Sequence, residues 1–240
     1  MSENQDSQAE FADQPPTNVA RVPTLLLLDT SRSMDQKTKD EDGNRRPKID
    51  QLNEGLKLFK QEIDDDFKAE RAVDISLVTF GGDVSVEQEF SEIEDWQPPN
   101  LSASGGTPLC EALVKGANHL RDHRNDLRDD KVPLKKALVW VLTDGRPTDD
   151  RGSKWDKAQT VVEDGTEDGE LLFYAVGIGE EANMSKLEDL ASAAPDESKV
   201  NTFQLESGMF KEFFRIVSES AQAQSEGGDA EEADDNLTQQ

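Results

Sequence analysis

Cysteine occurs once in 240 residues, at Cys110, and histidine only at His119 and His123. A lone cysteine cannot close an intramolecular disulfide, so the fold has to rest on packing, and this usage fits a reducing compartment. The two histidines share one charged stretch, "HLRDHRND", with no third ligand in view for zinc. With no G-x-S-x-G turn they supply no serine triad either. Neither G-x-G-x-x-G nor G-x-x-x-x-G-K occurs, so no glycine-rich loop is present to cradle phosphate. No run approaches the ~18 apolar residues of a spanning helix. The opening "MSENQDSQAE" is polar and acidic, unlike a secretory leader, so the expectation is a cytoplasmic protein. Positive charge is scarce as well: 26 basic against 52 acidic residues leave a formal net charge of −26. Such a field repels nucleic acid and anionic membranes, which removes both as expected partners. It suits solubility in concentrated salt, where screening relieves self-repulsion, and a halophilic source is expected. An ordinary acidic bacterial protein is the alternative, and the 15 lysines weigh on that side.

What is present is an alternation of strand-like and helix-like runs. Residues 1–18 are polar with two adjacent prolines and read as a disordered acidic arm. Residues 222–240, "QAQSEGGDAEEADDNLTQQ", carry no apolar period and read as a disordered acidic tail. The ordered domain is expected over 19–221. Val22–Leu28 is the first strand. "PKIDQLNEGLKLFKQEI" spaces Ile49, Leu52, Leu56, Phe59 and Ile63 by three and four, an amphipathic helix. "VDISLVTF", Val73–Phe80, is a strand that a "GGD" turn folds back into Val84–Phe90, which makes the latter an antiparallel edge. "TPLCEALVKGANHLRDH" is a helix with Thr107 as N-cap and Pro108 at its first position. "KKALVWVLTD" is apolar throughout and belongs at the centre of a sheet. Lys154–Asp164 and Met184–Ala194 are helical, Leu171–Ile178 and Lys199–Leu205 are strands, and Met209–Ala221 is the closing helix. The pattern predicts a three-layer, doubly wound α/β domain: a mainly parallel six-stranded sheet, one antiparallel edge strand, and helices on both faces.

In such a sheet, ligands bind beyond the carboxyl ends of the strands, where strand order reverses. "LLLLDTSRSMD" delivers Asp29 to that edge, followed by Ser31 and Ser33 on alternate positions of a short extended loop, with Thr30 and Arg32 pointing elsewhere. "VWVLTDG" delivers Asp144, and "SASGGTPL" delivers Thr107 after two flexible glycines. If the first and fourth strands are neighbours, Asp29, Ser31, Ser33, Thr107 and Asp144 converge. Only oxygen donors are in this set. They suit a hard cation, Mg²⁺ first, with Mn²⁺ and Ca²⁺ as alternatives. Weak hydroxyl ligands leave the ion electron-poor and attractive to an outside carboxylate. That is binding chemistry, not turnover.

These elements resemble the von Willebrand factor type A family. "DTSRS" matches its D-x-S-x-S signature, while "GGTPL", "TDG" and the strand-closing "AVGIG" follow in the family's order. "DTSRSM", "LNEGL", "TFGG", "GGTPLCEAL" and "LTDGRPTDD" together look most like its intracellular TerY/YegL-like branch, associated with tellurite-resistance gene clusters. The resemblance implies strand order 3-2-1-4-5-6 and a metal-ion-dependent adhesion site. Ser31, Ser33 and Thr107 would be direct ligands there, Asp29 and Asp144 direct or water-bridged ones, and a partner's Asp or Glu would take the sixth position. It also implies a setting near protein kinases and phosphatases, a stress-response or phosphorylation-signalling complex. The segment "DQKTKDEDGNRRPK" is longer than the family's link and is expected to form a rim that touches no ligand position. Alone, the chain is expected to be monomeric and not an enzyme. The alternative is a Mg²⁺-dependent phospho-receiver or phosphoryl-transfer protein using Asp29.

The remaining candidates read more plainly. Asp149 and Asp150 are expected to be surface acids, and Cys110 a buried inert thiol. His119 and His123 should lie on a solvated face, and Trp96 should pack under its own loop.

Overall fold

The computed structural model describes residues 19–195 and 200–227. The disordered arm expected over 1–18 lies outside them, as does 228–240 of the tail expected over 222–240, whose residues 222–226 are instead helical. Among the described residues, eight strands run β1 (Val22–Asp29), β2 (Lys37–Lys39), β3 (Arg45–Pro47), β4 (Val73–Gly81), β5 (Asp83–Glu92), β6 (Ala137–Thr143), β7 (Leu171–Ile178) and β8 (Val200–Leu205). Six helices join them: α1 (Lys48–Asp64), α2 (Phe67–Ala72), α3 (Leu109–Asp129), α4 (Ser153–Glu167), α5 (Met184–Ala191) and α6 (Phe210–Glu226). The main sheet has order β5-β4-β1-β6-β7-β8, with only the β4–β5 pair antiparallel. This is the expected 3-2-1-4-5-6 order.

The leucine run of β1 is central, and its period of two divides it between two cores. Leu26 and Leu28 join Leu52, Leu56 and Phe59 of α1 and Phe213, Phe214 and Val217 of α6. Leu25 and Leu27 join Leu113 of α3 and Val162 of α4 on the opposite face. A strand covered on both sides needs apolar residues at every position, which is why it shows no polar alternation. The edge strand β5 is only half covered, and exposed residues alternate along it. Trp96 is fully buried and meets Phe59 edge-on at 5.9 Å, as packing under its loop requires.

Several boundaries differ from expectation. α6 continues to Glu226 and stops at Gly227, a left-handed C-cap, five residues past the expected end at Ala221. Its last turn stays helical because Ala221 and Gln224 remain buried. The long link after the first motif folds into the β2–β3 hairpin, a sheet of its own. Among the described residues, no helix is long and apolar enough to cross a membrane.

Candidate functional site

β1 and β6 are hydrogen-bonded neighbours in parallel register, with Leu28 opposite Leu142. Their next residues therefore leave the sheet side by side. The Thr143 hydroxyl at the end of β6 donates to Asp29 Oδ2 at 2.5 Å, while the Ser31 amide donates to Asp29 Oδ1 at 2.7 Å. Asp29 has no solvent exposure. Burial pushes its carboxyl up to about 6 despite these hydrogen bonds, and the nearby Asp144 charge adds to the rise.

Ser31 is extended, as expected, but the chain then winds into a 3₁₀ turn over Arg32–Asp35 instead of remaining an extended loop. Buried Met34 anchors that turn, and its amide donates to the Ser31 carbonyl. The turn nonetheless brings the Ser31 and Ser33 hydroxyls to 2.9 Å of one another. Ser33 then donates to Asp144 Oδ1 at 2.6 Å.

Thr107 arrives from the start of α3. Ser33 Oγ and Thr107 Oγ1 each lie 3.6 Å from the point where a Cβ on Gly145 would stand, so both hydroxyls border the Asp144–Gly145 turn. The loop carrying Thr107 crosses the β4–β5 turn closely. A Cβ on Gly105, itself at φ +68°, would stand 2.4 Å from Gly82 Cα. Only glycine on both loops permits that approach. All five expected residues are thus gathered at the carboxyl ends of β1 and β6.

Four details depart from the sequence reading. Thr107 is not the N-cap of α3: Pro108 occupies that position, and no side chain of its own caps the helix. Asp149 does the work from another loop, accepting from the amides of Cys110 at 3.1 Å and Glu111 at 3.0 Å. It is a structural acid rather than a merely solvated one, since exposed helix amides attract a carboxylate. Asp150 meets Lys186 at 3.5 Å. The histidine face is also not free in solvent. His119 and His123 stack on Phe90 of β5, His119 bonds Ser76 and His123 bonds Asp74. Cys110 is buried, and burial together with Asp149 pushes its thiol up to about 12, which leaves it protonated and unreactive.

The fourth departure bears on the site itself. The rim segment does reach a predicted ligand: the Lys48 ammonium lies 2.6 Å from Asp144 Oδ2, with the two side chains only 4% and 0% exposed. A signal was present in "RRPKID". Lys48 stands at the first position of α1, where the helix dipole disfavours a cation, so an acid was needed to hold it. Among the described residues, no three His, Cys, Asp or Glu side chains gather to hold a metal ion. The cluster is two carboxylates, hydroxyls and this lysine.

A family model for the von Willebrand factor type A domain matches residues 25–215. The chain belongs to the von Willebrand factor type A family. Members of this family often mediate protein interactions, and that is the level at which the assignment speaks to function. No curated protein matches the chain. Among solved structures, the PilB minor pilin of Streptococcus sanguinis is similar at 14% identity and TM-score 0.59, over 87% of this chain and 63% of that one. The ArnB paralog VWA2 of Sulfolobus acidocaldarius aligns at 17% identity and TM-score 0.53, over 85% of this chain and 46% of that one. BatB of Bacteroides thetaiotaomicron aligns at 12% and TM-score 0.54, over 86% of this chain and all of that one. Identities this low establish a shared type A fold alone. The chain spans less than two thirds of the first two proteins.

Proposed function

We propose that this type A domain is a non-enzymatic interaction module that binds a partner's carboxylate through a divalent cation held by Asp29, Ser31, Ser33, Thr107 and Asp144. The observation that carries the reading is the convergence of two buried carboxylates and three hydroxyls, with no nitrogen or sulfur donor among the five, at the mouth between β1 and β6. Such oxygen donors fit Mg²⁺ first, with Mn²⁺ and Ca²⁺ as alternatives. The bound ion would supply a Lewis-acidic point of attachment for an Asp or Glu. The chain's own part is to keep Asp29 buried and oriented through Thr143 and the Ser31 amide, and to set the hydroxyls on one side.

A phosphoacceptor role for Asp29 is the weaker reading. In-line attack needs an exposed carboxylate oxygen, whereas Asp29 is fully buried with both oxygens accepting hydrogen bonds. A place in a stress-response or phosphorylation-signalling complex belongs to the same proposal, supported by the TerY-like motifs. So does a monomeric, cytoplasmic state.

The test is calorimetric titration of Mg²⁺ into metal-free protein with acetate present, for wild type and for Ser31→Ala/Ser33→Ala. One saturable site per chain is expected, weakened about 10–100-fold in the variant, while circular dichroism stays unchanged. Equal binding by both proteins overturns the proposal.

A further inference from the structure

The Lys48–Asp144 pair is built against two penalties. An ammonium at the first position of a helix opposes the helix dipole. Burying both charges costs desolvation that their attraction only partly returns. Asp144 is moreover fully engaged, with Ser33 on Oδ1 and Lys48 on Oδ2. With Asp29 and Asp144 ionised, the lysine leaves the cluster one negative charge rather than two. A divalent ion entering it would be left with one uncompensated positive charge. An unpaired charge in a buried site is costly, and an incoming carboxylate removes it. Without Lys48 the two aspartates would balance the ion by themselves, and an outside carboxylate would add an excess negative charge.

We propose that Lys48 is an internal counter-ion that makes cation binding and carboxylate binding depend on one another. This rests on the cation-site reading above. Lys48 keeps the affinity for the cation alone low and directs the loaded site toward an anionic partner group over a neutral amide or hydroxyl. It is a positioning and specificity residue, acting through Asp144. The rim itself is mixed in sign, with Asp35 exposed beside Ser33 and Asp149 and Asp150 following Asp144. Arg32 beside the two serines and Arg146 beside Asp144 are exposed, and neither has an ion-pair partner among the described residues. On a chain of net charge −26, the buried Lys48 and these two arginines reduce the repulsion an acidic partner would meet at this edge.

The experiment titrates Mg²⁺ into the full metal-free chain, with and without acetate, for wild type, Lys48→Gln and Lys48→Arg. Thermal melts of each protein verify folding. In wild type, acetate should tighten Mg²⁺ binding about tenfold, inside the usual range of coupling between sites. In Lys48→Gln, Mg²⁺ alone should bind about tenfold more tightly and the acetate effect should fall toward one. Lys48→Arg should keep the wild-type pattern. If Lys48→Gln melts too low to titrate, Lys48→Met, which keeps the side-chain volume, takes its place. The same acetate factor in wild type and the neutral variant overturns the role of Lys48 while leaving the cation site standing. No Mg²⁺ binding by any protein in either condition removes both.

Discussion

Asp29, Asp144 and Asp74 are three buried carboxylates, and their surroundings set them apart. Asp29 has only neutral donors, so burial dominates and raises its pKa. Asp74 lies at the opposite, amino end of the sheet between Arg21 and His123. Burial alone would raise it, but the hydrogen bonds and charges of His123 and Arg21 outweigh burial and hold it below its ordinary value of 3.8. A carboxylate depressed in the folded state contributes stability above its ordinary value and loses that contribution as pH falls through the folded value. Asp74→Asn should therefore cost about 3 kcal/mol near neutral pH, the scale for breaking a buried pair. The gap between variant and wild type in urea midpoints should narrow at about pH 3. A gap that stays constant or widens on acidification would show that the pair contributes nothing through its charge.

At the scale of elements, the start of α3 depends on a residue 39 positions away, because Asp149 supplies the cap that Thr107 does not. Asp149→Ala should lower stability by about 1 kcal/mol, the usual cost of losing a cap, read as a shift in denaturant midpoint. It should also weaken cation binding, since the same loop holds the Thr107 carbonyl through the Thr148 amide. A variant as stable as wild type would mean that water replaces the cap. This cross-chain contact shows where the sequence stops being legible. The sheet order and the five converging residues could be read because apolar strands and their polar ends leave a local mark. The 3₁₀ turn after Ser31 could not, since it depends on Met34 finding a pocket in the core. The short helix α2 leaves little local mark, since its cap, Asp66, accepts from the Lys68 and Ala69 amides but sits in a run of aspartates. Asp149 and Lys48 have partners distant in sequence, and only tertiary contact decides whether such a charge is solvated or structural.

The whole molecule must hold together under a net charge of −26. Raising KCl from about 0.1 to about 1 M shortens the screening length from about 10 to about 3 Å, which weakens that self-repulsion. The melting temperature should rise over this range, as scanning calorimetry would record; a flat or falling curve would favour the ordinary acidic protein over the halophilic one. Adjacency of β1 and β6 has a further consequence, in time rather than space. Ser33 and Asp144 touch although 111 residues separate them in the chain. As the ribosome delivers the polypeptide from its amino end, β1, β4 and β5 can pair while β1 still waits for its second neighbour. Asp29 and the two serines exist from the outset, but they have no Asp144 to face until β6 has emerged. A nascent chain therefore carries half a site for much of its synthesis. Under the proposed function, partner capture would begin only when the centre of the sheet has closed.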